Sequence, residues 1–140
     1  MKLAFPRTLA ALACTIALSG CGGTPTIVEG PMYPLEFKRG PTLDIQVIRH
    51  ETEIRMTNTS GRSFGPCMMW INGRFSYELK DGFAVGASKT LDLAKFTDQY
   101  GEIFKAGGFF ATERAEKLAL AELAIDGQVL GIVVISGEEY

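Results

Sequence analysis

Hydrophobic and polar residues alternate along two neighbouring stretches in the first half of the chain. In the first, Leu43, Ile45 and Val47 alternate with more polar positions, and residues 53–57 repeat the pattern with the same period. Because side chains of a strand point to alternate faces, a period of two predicts a strand with one buried face. A polar link that contains His50 joins the two stretches, so we expect a β-hairpin.

The strongest turn signal is Asn72-Gly73, which separates two largely apolar stretches. A two-residue turn would pair Trp70 with Phe75, whereas a three-residue loop with Gly73 in a left-handed conformation would pair Trp70 with Arg74. We prefer the second register because it separates apolar from polar side chains better. It places Trp70 and Arg74 on the more polar face, and it gathers on the other face Cys67, Met69, Phe75, Tyr77 and Leu79.

Residues 113–125 are compatible with two structures. Their Ala, Leu, Glu and Lys residues are good helix formers, and Thr112 would cap such a helix. However, Asp126-Gly127 is typical of a tight turn into the apolar strand of residues 128–136. Since a hairpin pairs neighbouring segments, we expect residues 117–125 to form a strand and keep the helix as the alternative.

Turn signals recur about every ten residues between positions 42 and 136, and residues 82–93 contain a further short strand. The stretch therefore contains about seven strands. This size and rhythm resemble immunoglobulin-like domains. The spacing predicts an all-β fold, a small antiparallel β-sandwich over residues 42–136, and we expect residues 137–140 to form a C-terminal tail. The resemblance concerns the architecture alone and transfers no catalytic residue.

The first twenty residues have the parts of an export signal. Lys2 and Arg7 are positively charged, residues 9–18 are apolar or small, and Ser19 and Gly20 are small residues at a cleavage position. Ten residues of helix reach only about half of a roughly 30 Å hydrocarbon core. A transmembrane helix is therefore not expected here.

The tetrapeptide Leu18-Ser19-Gly20-Cys21 resembles the lipobox of bacterial lipoproteins. The resemblance implies cleavage of the signal peptide, residues 1–20, before Cys21, a diacylglyceryl thioether on the Cys21 sulfur, and a third acyl chain such as palmitate on the new amino terminus. Two or three acyl chains anchor a protein stably. Gly22 in the next position implies a place in the bacterial cell envelope at the outer membrane rather than the inner one, facing the periplasm.

Residues 21–41 are rich in proline and glycine and predict a tether between the lipid and the domain. Met32, Tyr33, Leu35 and Phe37 interrupt this composition with larger apolar side chains. We therefore expect the second half of the tether to lie against the domain.

Charge and cysteine content narrow the functional classes. The full chain carries 14 Lys and Arg residues against 16 Asp and Glu residues, and removal of Lys2 and Arg7 with the signal leaves 12 against 16. An acidic chain without a basic stripe is not expected to bind nucleic acid. Cys14 leaves with the signal and Cys21 carries lipid, so Cys67 remains as the single thiol, which we expect to be buried.

Motifs for catalysis are missing from the sequence. His50 is the only histidine, and we find no paired Cys-x-x-Cys, HExxH or glycine-rich phosphate loop. Asp92, Asp98 and Glu102 are acids near an aromatic-rich link, but acids in loops are usually solvated. We therefore predict that the protein is not an enzyme and needs no cofactor.

Two features favour a binding function. Trp70 and Arg74 form an aromatic and cationic pair of the kind found at interfaces, and residues 96–110 contribute further aromatic residues, among them Tyr100 and Phe104. We predict that these four side chains bind a protein partner in the envelope. The alternatives are that the tether or another strand covers Trp70, and that the loop aromatics fold underneath as part of the core.

Sulfur-containing residues suggest a second function. Cys67, Met69 and Met56, with Met68 and His50 nearby in sequence, are ligand types that select Cu(I). The alternative hypothesis is therefore a copper-binding periplasmic lipoprotein. Methionine and cysteine side chains also fill cores, which is the simpler interpretation.

Overall fold

The computed structural model describes residues 29–135, and it confirms the prediction of an all-β fold. The predicted lipid site at Cys21, the signal peptide and the C-terminal tail lie outside these residues. One 3₁₀ turn occupies Leu93–Lys95. The strands are β1 Lys38–Arg39, β2 Leu43–His50, β3 Glu53–Asn58, β4 Cys67–Ile71, β5 Phe75–Leu79, β6 Ser88–Asp92, β7 Ala121–Ile125 and β8 Gln128–Ile135.

The eight strands belong to one hydrogen-bonded sheet with the order β5-β4-β7-β8-β2-β3-β6, and β1 pairs with the beginning of β8. Most neighbours are antiparallel, but β1 and β2 run parallel to β8. The expectation of a wholly antiparallel arrangement is therefore wrong at the centre of the sheet. Alternation fixes the face that a residue occupies but not the direction of its neighbour, and no hairpin joins β2 to β8.

One face of the sheet carries a single continuous core. The two edge strands of the sheet, β5 and β6, line the same crevice, which shows that the sheet curls. The curl lets strands from both halves of the sheet share this core, whose members include Ile45, Val47, Ile54, Met56, Met69, Ile71, Phe75, Leu123, Leu130 and Ile132.

The hairpin at Asn72-Gly73 has the predicted three-residue loop with a left-handed Gly73, but the loop spans residues 72–74, so the strand pairing differs from both predicted registers. Ile71 pairs with Phe75 and Trp70 pairs with Ser76, so the predicted pairing of Trp70 with Arg74 is wrong. Asn72 and Gly73 both have left-handed backbones (φ 53° and 64°). The actual register differs from the preferred one by two residues, which leaves every side chain on its predicted face.

Residues 113–125 contain the preferred strand and not the alternative helix, and the strand, β7, occupies Ala121–Ile125. It lies between β4 and β8, so both of its edges are hydrogen-bonded. Ala121 and Leu123 are buried in the core. Pairing on two sides and burial of the apolar face outweigh the helix propensity of this segment.

A long capping loop, residues 93–120, covers one end of the curled sheet. Strands β2 and β4 run in the same direction, so the turns that follow them lie at this end. The backbone N–H of Leu93 donates to the carbonyl of Thr52 in the first turn (2.9 Å), and the Asn72 amide in the second turn donates to the carbonyl of Lys117 (2.7 Å). Arg49 donates to the carbonyls of Ala106 (2.6 Å) and Glu116 within the loop.

Candidate functional site

The N-terminal segment, residues 30–39, crosses the outer face of the sheet. At the capped end, the backbone N–H of Gly30 donates to the carbonyl of Asp98 (2.8 Å), and at the opposite end the N–H of Lys38 donates to the carbonyl of Gly127 (3.1 Å). Strand pairing therefore begins at Lys38, before the predicted domain boundary at residue 42. The second half of the predicted tether thus lies against the domain.

This segment covers two side chains that project from the outer face. Trp70 on β4 and Glu122 on β7 are cross-strand partners. The Tyr33 ring packs edge-on against Trp70, with centroids 5.2 Å apart, and the Tyr33 hydroxyl donates to Glu122 Oε2 (2.8 Å). Arg39 forms an ion pair with the other carboxylate oxygen of Glu122. Both partners of the buried carboxylate, the Tyr33 hydroxyl and the Arg39 guanidinium, therefore belong to the covering segment.

The environment of Tyr33 favours its protonated hydroxyl. Burial raises the pKa of Tyr33 above its ordinary value, and the hydrogen bond to the Glu122 carboxylate raises it further. The indole Nε1 of Trp70 has no hydrogen-bond partner although it is buried. The contact between the N-terminal segment and the sheet therefore depends on ring packing and on the Glu122 carboxylate.

At the capped end, Arg74 joins the β4–β5 turn to the capping loop. Its Nε and Nη2 atoms donate to Asp98 Oδ2 (3.0 and 2.8 Å), and Nη2 also contacts Glu102. The second Asp98 oxygen accepts from the backbone N–H groups of Tyr100 (2.9 Å) and Glu102 (2.8 Å). Asp98 therefore fixes the loop and the arginine at the same time.

These bonds determine the protonation of Asp98. Burial alone would raise the pKa of Asp98, but Arg74 and the backbone N–H groups of Glu102 and Tyr100 stabilise the carboxylate, and the pKa is held below its ordinary value. The Arg74 guanidinium has a raised pKa, chiefly because it donates to Asp98. At neutral pH the cluster is thus an ion pair that positions the loop and the guanidinium.

A groove of about 410 Å³ lies between the N-terminal segment and this cluster. Its size is within the usual range for binding pockets. Met32 and Leu35 form one wall and are exposed, and Tyr100, 71% exposed, stands on the other side next to Arg74. The groove therefore presents apolar and aromatic side chains beside a positioned guanidinium.

The four residues predicted to bind a partner separate into two pairs. Arg74 and Tyr100 line the groove, whereas Trp70 is 2% exposed and lies beneath Tyr33. Phe104 is buried against Phe75, with ring centroids 5.3 Å apart. The assignment of Trp70 and Phe104 to an exposed binding surface is therefore wrong, because the tether covers the first and the core takes in the second.

Sequence reasoning missed Met32 and Leu35 as groove residues and Glu122 as the partner of Tyr33. The signal for the first two was present, since large apolar side chains are unusual in a tether rich in proline and glycine. Glu122 carries no such signal, because a glutamate between apolar neighbours is also common on an exposed strand face.

Three of the sulfur-containing residues lie on the inner face of the sheet, whereas Met68 lies on the outer face with Trp70. Met56, Met69 and Cys67 are buried in the core, and His50 is exposed at the end of β2. Burial raises the pKa of the Cys67 thiol to about 11. Within residues 29–135, no group of three or more His, Cys, Asp or Glu side chains is arranged to hold a metal ion.

No protein-family model, curated protein or solved structure matches the chain. In the part of the chain that the structure describes, no helix has the length and hydropathy needed to span a membrane.

Proposed function

We propose that this protein is a lipid-anchored binding module of the bacterial cell envelope, held at the outer membrane through Cys21 and facing the periplasm. The lipobox-like tetrapeptide that ends in Cys21 supports the anchor. We also propose that the domain is an immunoglobulin-like sandwich. The shared core supports this, since the two halves of the curled sheet pack on one core as the two layers of a sandwich do.

The observation that carries the binding function is the groove between the N-terminal segment and the capping loop. Exposed apolar side chains beside a held arginine are typical of protein interfaces. We therefore propose a protein partner that inserts an apolar side chain between Met32, Leu35 and Tyr100. Glu102, whose carboxylate is exposed beside Arg74, is available for a hydrogen-bond donor of that partner.

The proposal assigns no catalytic residue. Asp98 is committed to Arg74 and to two backbone N–H groups, and Cys67 is a buried thiol with a raised pKa. Neither group is prepared to act as a general base or a nucleophile. The acidic balance of the chain also favours a protein partner over a nucleic acid.

Site-specific photocrosslinking in living cells tests the groove. A photoreactive phenylalanine analogue replaces Tyr100 in one variant and Val85, at the opposite end of the sheet and 52% exposed, in a matched control. We expect a discrete crosslinked protein at position 100 that is absent at position 85 and is lost when Leu35→Ser is added. Equal crosslinking at both positions, or none at position 100, would contradict the proposal.

The anchor is tested separately by mass spectrometry of the amino-terminal peptide. We expect a peptide that begins at Cys21 and carries the mass of its acyl chains. Cys21→Ser should release the protein from the membrane fraction. An unmodified Cys21 in the mature protein would rule out the anchor and leave the groove hypothesis standing.

A further inference from the structure

The capping loop carries two adjacent phenylalanines that project into solvent. Phe109 and Phe110 are 96% and 90% exposed, the highest values among the large hydrophobic side chains of residues 29–135. Their rings pack edge to face, with centroids 5.0 Å apart. Two exposed aromatic rings in contact form a patch of the kind that marks a protein or membrane interaction site.

The loop on either side of this pair is held in place. Gly107 and Gly108 have φ values of 80° and 113°, a region that favours glycine. A Cβ atom at Gly107 would lie 2.8 Å from the Cβ of Ala115, so the two arms of the loop pack closely. The phenylalanines are therefore exposed by the folded conformation of the loop and not because its tip is unfolded.

The phenylalanines lie at the end of the sheet where the N-terminal segment enters. Gly30 is bonded to Asp98 in the capping loop, and Gly108 lies beside Thr52 in the β2–β3 turn at the same end. Cys21 precedes Gly30 by nine residues, which reach about 30 Å at most. A lipid on Cys21 would therefore hold this end of the domain close to the bilayer.

The charges beside the pair also fit a phospholipid surface. Glu113 forms an ion pair with Lys105, and the Glu116 carboxylate accepts from the backbone N–H of Lys105 (3.0 Å); over residues 105–117 the basic side chains Lys105, Arg114 and Lys117 outnumber these two acids by one. Arg114 follows in the same exposed stretch. Cationic side chains next to inserted rings attract lipid phosphates.

We propose that Phe109 and Phe110 insert into the interfacial region of the bilayer that holds the Cys21 lipid, which orients the domain with its capped end towards the membrane. This inference rests on the proposed lipid anchor. The groove at the same end then faces partners that lie at the membrane surface.

Fluorescence quenching in vesicles tests the insertion. The lipidated mature protein is purified from membranes as Phe110→Cys and, as the matched control, Val85→Cys, and each variant is labelled with an environment-sensitive fluorophore. Labelling is selective because Cys67 is buried with a pKa of about 11. Both proteins are reconstituted into vesicles of phosphatidylethanolamine and phosphatidylglycerol that contain nitroxide-labelled lipid.

We expect a blue-shifted emission and at least several-fold stronger quenching at position 110 than at position 85, and a several-fold loss of that quenching when Phe109→Ser is added. Equal quenching at both positions would overturn the inference. So would a blue shift at position 110 without quenching by the nitroxide-labelled lipid, because the fluorophore would then be covered by protein rather than by lipid. Mass spectrometry of Cys21 in the same sample separates the two proposals: lipidated Cys21 without quenching refutes only the insertion, whereas a bare Cys21 refutes the anchor and this inference together.

Discussion

Removal of Tyr33 provides the sharpest test of how the N-terminal segment is attached. Tyr33→Phe removes only the hydroxyl that donates to Glu122 and keeps the ring on Trp70. A hydrogen bond to a charged group contributes about 1.5–3 kcal/mol, and we take the lower value because Tyr33 is half-buried and Arg39 remains on Glu122. The free energy of unfolding should therefore fall by about 1.5 kcal/mol, which lowers Tm by about 6–10 °C for a domain of this size.

Tyr33→Ala also removes the ring. The edge-to-face contact adds about 1 kcal/mol and partial burial of the ring about 1 kcal/mol more, so the total loss should reach about 3–4 kcal/mol. The chain contains one tryptophan, and its indole lies directly under this ring. Uncovering it should move the Trp70 emission to longer wavelength and increase quenching by acrylamide in the folded protein.

The measurement is urea unfolding followed by Trp70 fluorescence, with Tyr100→Ala as the control. Tyr100 is exposed and should change stability by less than about 0.5 kcal/mol. The stability that Tyr33 supplies also depends on pH. Since the folded-state pKa of Tyr33 is raised, its contribution is complete below about pH 10 and is lost as the pH rises through the folded-state pKa. Wild-type stability in Tyr33→Phe, together with an unchanged Trp70 spectrum in Tyr33→Ala, would refute the attachment.

Three further predictions concern the core and the loop. The lowered pKa of Asp98 means that its carboxylate stabilises the folded state above the ordinary pKa of an aspartate, and that this stabilisation is lost as the pH falls through the folded-state pKa. Asp98→Asn should therefore make the stability less dependent on pH on the acid side, as measured by thermal unfolding between pH 2 and 7. Phe104→Ala should lower the free energy of unfolding, measured by chemical denaturation, by about 3–5 kcal/mol because the ring is fully buried. A loss as small as that of Tyr100→Ala would show that the capping loop is not part of the core. Cys67 should react with a thiol reagent at neutral pH only after unfolding, and rapid labelling of the folded protein would contradict its burial and raised pKa.

The alternation of side chains was sufficient to predict which residues face the core. Cys67, Met69, Phe75, Tyr77 and Leu79 share a face as the pattern indicated, even though the hairpin register differs by two residues. The register itself depends on the turn, and Asn72 is held there by bonds to residues 117–120, which are distant in sequence. A local pattern contains no information about such a bond.

The sequence by itself determined the all-β class, the positions of most strands, the burial of Cys67 and the lipobox-like signal, because each of these depends on the order of neighbouring residues. Only the tertiary structure decided the parallel pairing of β2 with β8, the cover that Tyr33 places on Trp70, and the groove beside Arg74. These features arise where segments far apart in the chain meet. Their free energies come from contacts between elements, and the residues of one element do not specify which partner will supply those contacts.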